Sequence, residues 1–193
     1  MARPREFEED TVLDAALERF WAQGFDATSM RDLIECTGLT GASLYNAFGD
    51  KRSLYRKSLD HYVQRGMRDR MAHCRDLPPA QAIAVFFSDV LRRSLEDPQH
   101  KGCMLINAAL DVPPDDAELR QAVAENLRAI ESFLYAIIAA GQADGSIRAT
   151  LSATDMARHL LGVLAGLRVL ARVRPEKELL EGIVASLQDF LTP

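Results

Sequence analysis

Cysteine is scarce in this sequence, and aromatic residues, glycine and proline are thinly spread. The three cysteines, Cys36, Cys74 and Cys103, stand far apart with no Cys-x-x-Cys pair, which excludes a disulfide framework and a zinc site of ordinary ligand spacing. They read as reduced thiols of a reducing compartment. Aromatics make up 7% of the chain, and 11 Gly and 8 Pro are dispersed through 193 residues, so collagenous, low-complexity and disordered classes are excluded. No run approaches the roughly 18 uninterrupted apolar residues of a membrane span, and Met1 to Asp10 is charged without an apolar signal core. A cytoplasmic protein with no membrane partner is therefore expected. Residues 52–193 also lack a glycine-rich nucleotide loop, a nucleophile elbow and any His, Cys or carboxylate cluster at metal spacing, so no enzyme, cofactor or metal is expected.

What is present is an ordinary globular composition, 48% hydrophobic and 26% charged, with an uneven distribution of charge. The net charge of −5 points away from nucleic acid when taken alone. Divided along the chain, it is +2 over residues 1–5, −8 over 6–50, +6 over 51–75 and −5 over 76–193. One segment is strongly basic within an acidic whole.

Apolar residues recur at helical spacing throughout, and no alternating run is bounded by hairpin turns, so the chain reads as all-α with about nine helices. The first is expected over Glu8 to Gln23, stopped by Gly24. Ser29-Met-Arg-Asp32 resembles a capping box that opens a short helix ending before Gly38. Thr37-Gly38-Leu39 forms a turn, Thr40 caps a third helix to Phe48, and Asp50 caps a long fourth helix from Lys51. Further helices are expected at Pro79–Glu96, Gly102–Leu110, Asp115–Ala143, Ala153–Val173 and Glu176–Leu191, with proline or Asp-Gly at the breaks between them.

Two short helices joined by a three-residue turn with central glycine have the spacing of a DNA-binding helix-turn-helix. The residues go further. Phe25-Asp-Ala-Thr28-Ser-Met-Arg-Asp-Leu33, Thr37-Gly38-Leu39-Thr40 and Ser43-Leu44-Tyr45-Asn46-Ala47-Phe48-Gly49-Asp50-Lys51 resemble the N-terminal domain of the tetracycline-repressor (TetR) family of transcriptional regulators. The likeness covers residues 8–57, with Ile34 where the family commonly has a small alanine. It implies a DNA-binding domain over residues 1–50 and a larger helical effector-binding and dimerisation domain over 51–193.

In the third helix, which carries no charge, Thr40, Ser43 and Asn46 are candidates for base edges or phosphates, and the small Gly41 and Ala42 permit close approach to the groove. Tyr45 and Lys51 resemble the family's backbone clamps, with Arg52 beside them. Thr28 and Ser29 are candidate phosphate contacts, and Arg3 and Arg5 a minor-groove arm. Thr28, Ser29 and Thr40 carry a second reading as helix caps alone.

The resemblance also implies an effector cavity enclosed by the fourth to seventh helices, for which Tyr62, Phe86, Phe87, Cys103, Met104, Asn107, Phe133 and Ile137 are the candidates. Aromatics at helical spacing serve equally as core. Cys103, beside His100 and Lys101 near a helix start, reads either as a thiol sensor of oxidants or electrophiles or as an inert cysteine. The last two helices are apolar beyond a one-sided core, and Leu160, Leu161, Leu164, Leu167, Ile183 and Leu187 are the candidate homodimer interface, with an intramolecular core as the alternative. The expected function is a one-component regulator, a repressor, whose partners are a palindromic double-stranded operator, a small-molecule effector and a second copy. An effector-independent architectural DNA-binding factor is the alternative.

Overall fold

The computed structural model describes residues 7–193 apart from 75 and 114, and apart from the side chains of 67, 68 and 71. Nine helices and no strand occur among the described residues: α1 (Glu9–Gln23), α2 (Met30–Thr37), α3 (Gly41–Phe48), α4 (Lys51–Cys74), α5 (Pro79–Leu95), α6 (Met104–Asp111), α7 (Ala117–Asp144), α8 (Ala153–Val173) and α9 (Lys177–Leu191). Each follows the sequence punctuation closely. Ser29, Thr40, Asp116 and Ser152 accept backbone N–H groups in the first turns of α2, α3, α7 and α8, so local capping chemistry fixes where these helices begin. Pro79 opens α5, where a missing N–H costs nothing.

The chain forms two compact units, Met1–Gly66 and Met67–Pro193. The first extends past the 50/51 division expected from the sequence, because Leu54, Tyr55 and Leu59 on the early turns of α4 are buried. Its core also takes Val12, Leu13, Ala16, Leu17 and Phe20 from α1, Leu33 from α2, and Leu44 and Phe48 from α3. Two short helices of eight residues are only marginally stable by themselves. Burial of Leu33, Leu44 and Phe48, at about 1.5–3 kcal/mol per large apolar side chain, supplies what propensity does not.

In the second unit the core is built from α5 (Ile83, Phe86, Phe87), α7 (Leu134, Ile138), α8 (Met156, Leu160, Leu167) and Leu180 of α9. At Gly141 a Cβ would lie 2.5 Å from Ile147 Cδ1 and 2.9 Å from Pro79 Cβ, so α7 approaches its neighbours there in a way only glycine permits. No helix among the described residues is long and apolar enough to cross a membrane.

Candidate nucleic-acid interface

The α2–turn–α3 segment is held from within. Gly38 adopts φ 69°, a left-handed conformation that glycine enters without steric cost, and its N–H closes α2 on Ile34 O at 3.1 Å. At the helix start, the Ser29 hydroxyl accepts from Asp32 N at 3.2 Å and the Asp32 carboxylate accepts from Ser29 N at 2.8 Å. This is the reciprocal capping box. Hydrogen bonds from the Ser29 hydroxyl and N–H hold the Asp32 carboxyl below its ordinary range. Thr40 accepts from Ser43 N at 3.2 Å and donates to the Ser43 hydroxyl at 3.0 Å.

Gly41 has a packing role that the sequence did not reveal. A Cβ there would lie 3.3 Å from Ile34 Cδ1, so the isoleucine that stands in place of the family's small alanine is accommodated by the bare backbone opposite. With Leu44 and Phe48 turned inward, α3 presents Thr40, Ala42, Tyr45 and Asn46 to solvent, and Tyr45 is 52% exposed. That face is polar, uncharged and mounted on a packed scaffold.

Two expected phosphate contacts lie elsewhere. Thr28 is fully buried, and its hydroxyl donates to Gly24 O at 2.7 Å, so this side chain faces the interior. Lys51 Nζ donates to Phe25 O at 2.8 Å and to Thr28 O at 2.9 Å, and it lies 4.3 Å from the Phe25 ring centroid. The ammonium thus ties the first turn of α4 to the loop that precedes α2. Phe25 in turn packs on Tyr55 (5.1 Å between centroids) and Phe20 (6.3 Å). Phe25 opens the motif that carries the family resemblance but was given no packing role from sequence, and Tyr55 was not singled out. Lys57, also missed, donates to Ala47 O at 3.4 Å at the C-terminal end of α3, where the helix dipole favours a cation. Ser29 and Arg52 are exposed, and Arg3 and Arg5 lie outside the described residues.

The expected effector-site residues are divided between the two units, and neither of the two clefts described below is lined by them together. Tyr62 belongs to the first unit, edge-on to Trp21 at 5.1 Å. Phe86, Phe87, Phe133 and Ile137 join the core of the second unit, with Phe86 and Phe133 at 5.6 Å. Cys103 is the half-buried N-cap residue of α6, Met104 is buried behind it, and the Asn107 amide donates to Lys101 O at 2.9 Å, pinning the preceding loop. Burial pushes the Cys36 and Cys74 thiols up, away from thiolate. The second unit instead carries an open groove of about 620 Å³ between the C-terminal part of α4 and α5, whose wall includes Phe86 alone of the expected residues. A second cleft of about 540 Å³ between α5 and α9 takes in Phe87.

The candidate interface residues divide between the core and its edge. Leu160, Leu164, Leu167 and Leu187 are buried in the core of their own protomer, while Leu161 and Ile183 are half-buried at its edge. A helix with a wide apolar face leaves open from sequence which part points inward. The outward stripe of α8 is His159, Gly162, Gly166, Val169 and Val173, and a Cβ at either glycine would meet nothing within 4 Å.

An all-helical chain with a packed N-terminal helix-turn-helix and a larger helical unit defines a class of bacterial regulator. Residues 12–57 match the bacterial regulatory proteins of the tetR family, and residues 79–187 match the tetracyclin repressor-like C-terminal domain. The chain belongs to the tetR family. It is 29% identical over 172 residues to the HTH-type transcriptional repressor ComR of Escherichia coli K12, covering 88% of this chain and 82% of that protein. It is 27% identical over 185 residues to the HTH-type transcriptional regulator YezE of Bacillus subtilis 168, covering 94% of each. Among solved structures, a cysteine mutant of the TetR family transcriptional regulator CifR, complexed with 26-bp double-strand operator DNA, is 29% identical with a TM-score of 0.86, covering 98% of this chain and 100% of that one.

Proposed function

We propose that this protein is a one-component transcriptional repressor that binds a palindromic operator as a homodimer and is released by a small-molecule effector. The observation that carries the reading is the outward face of α3, where Thr40, Ala42, Tyr45 and Asn46 project from a core-anchored helix. Asn46 supplies the bidentate donor and acceptor pair that suits adenine, Thr40 and Ala42 supply methyl groups for thymine, and Ser43 and Tyr45 supply hydroxyls for phosphate. The exposed Ser29 and Arg52 are assigned to phosphates beside that face, and Arg3 and Arg5, outside the described residues, to a minor-groove arm. Gly41 keeps the α3 N-terminus slim, and Lys51 and Thr28 hold the reading head in place from behind. The likeness to a regulator solved on operator DNA supports the same reading.

A second copy fits the outward stripe of α8, where Gly162 and Gly166 allow close helix approach and Val173, 67% exposed, lacks cover within its own protomer. Two copies place two recognition helices on one palindrome. We assign DNA binding to the N-terminal region that the sequence divides at residue 50, and effector binding and dimerisation to residues 51–193. Effector control is a population shift: the ligand prefers the arrangement that does not fit successive major grooves. Cys103, at the N-terminal end of α6, supports a second reading as a thiol switch. The test is a gel shift on the DNA upstream of the protein's own gene, with wild type and the Tyr45→Ala, Asn46→Ala double mutant. Retarded, competitor-resistant complex for the first and none for the second is the expected result; equal retardation of both removes α3 as the reading helix.

A further inference from the structure

The groove between α4 and α5 has a definite chemical character. Three guanidinium groups, Arg70, Arg92 and Arg93, converge on one carboxylate, Asp89: Arg92 Nη2 donates to Oδ1 at 2.7 Å, Arg93 Nε donates to Oδ2 at 2.9 Å, and Arg70 Nε lies 3.6 Å from Oδ2. Burial raises the Asp89 carboxyl, but the three arginines outweigh it and hold the group ionised below its ordinary range. Among the described residues the three guanidiniums are matched by three carboxylates, Asp69 and Asp89 on the groove wall and Glu96, whose Oε2 accepts from Arg92 Nη1 at 2.6 Å. The rest of the wall is the apolar Val85, Ala72, Cys74 and Phe86 with two polar residues, His73 and Ser88.

We propose that this groove binds an amphipathic monocarboxylate, its carboxylate on Arg92 and Arg93 and its apolar body along Val85 and Phe86. The volume of about 620 Å³ lies within the range of small-molecule sites, roughly 300–1,000 Å³. A guanidinium pair rich in donors is matched by a planar acceptor, and a carboxylate is matched in both charge and shape. A cation would meet three guanidiniums on the described wall with Asp69 alone beside the already engaged Asp89. A dianion would add a second negative charge to a cluster whose guanidiniums are already balanced by Asp69, Asp89 and Glu96. The assignment deepens the effector half of the proposed function and rests on it only for the link to DNA.

Isothermal titration of the full-length protein with 3-phenylpropionate, octanoate and 3-phenylpropionamide tests it without DNA. Saturable binding of a carboxylate is expected, with the amide weaker by about tenfold or more. Arg93→Gln, at a side chain 43% exposed, should weaken the carboxylate by about tenfold without unfolding the protein. Ala72→Trp, at an exposed helical position, should fill the groove and abolish binding while every charge remains. The proposal is overturned by failure of both carboxylates to bind, by equal affinity for acid and amide, or by unchanged binding in Ala72→Trp. A parallel operator gel shift reports on the regulatory reading separately, so either reading can fail without the other.

Discussion

Replacing Lys51 with methionine keeps the aliphatic stem and removes the ammonium. In the native protein that ammonium donates to Phe25 O and Thr28 O at 2.8 and 2.9 Å and sits 4.3 Å from the Phe25 ring. Hydrogen bonds to charged groups contribute about 1.5–3 kcal/mol each, and a partly exposed cation–π contact contributes about 0.5–1 kcal/mol. The three contacts share one half-buried group and do not add, so the expected loss of stability is about 2–4 kcal/mol. Urea unfolding followed by the fluorescence of Trp21, the sole tryptophan, reads this unit directly. The rival reading, a phosphate contact, leaves stability unchanged and flattens the plot of log affinity against log salt by about 0.9 for each lost contact. On the present account the salt slope is unchanged and operator affinity falls only with the order of the loop before α2. A Lys51→Met protein with native stability and a shallower salt slope would refute the reasoning.

Other outcomes follow from the same geometry. Leu44→Ala empties a fully buried position and should cost about 2–5 kcal/mol in a urea titration. Tyr45→Ala, at an exposed position, should leave unfolding within about 0.5 kcal/mol of wild type while weakening operator binding in a gel shift. For Asp14, burial raises the carboxyl but hydrogen bonds from His61 and Arg65 at 2.9 and 2.7 Å outweigh it and lower the pKa. Its stabilisation is therefore complete above the unfolded value of about 3.9 and is lost as pH falls through the lower folded value. Asp14→Asn should flatten that acid limb, measured by urea unfolding between about pH 5 and 2. Gly166→Leu should convert a dimer to a monomer in light scattering, whereas the inward Leu167→Ala should lower stability.

Much of this architecture was legible because its signals are local. Gly38 between two apolar segments, Ser29 three residues before Asp32, and Thr40 three before Ser43 are short-range chemistry, and the structure returns each as a left-handed stop or a cap. Lys51 and Thr28 were not legible in the same way. Thr28 bonds only four residues back, to Gly24 O, but its burial is set by packing, while Lys51 reaches back 23 and 26 residues to carbonyl groups, and no spacing rule marks a carbonyl as an acceptor for a distant side chain. Tyr62 illustrates a different limit. Periodicity places it on one face of α4 but does not say that this stretch packs beside Trp21 in the first unit. In α8, the apolar arc holding Leu160, Leu164 and Leu167 is wide, and only packing shows that these three face inward while Gly162 and Gly166 lie open on the other side. The groove at Asp89 was missed because its charged residues read singly as a solvated helix face, and only packing brings Arg70 to Arg92 and Arg93.

The central claim is that α3 reads an operator while the acidic body of the protein contributes little non-specific attraction. Fluorescence anisotropy of the purified protein on DNA from upstream of its own gene, against scrambled DNA of equal length, tests that claim most directly. The account predicts saturation at two protomers per palindrome, with an affinity of about 10⁻⁸ M or tighter at physiological salt and scrambled DNA weaker by about a thousandfold or more. Equal affinity for both duplexes, or binding at one protomer per site, would contradict it.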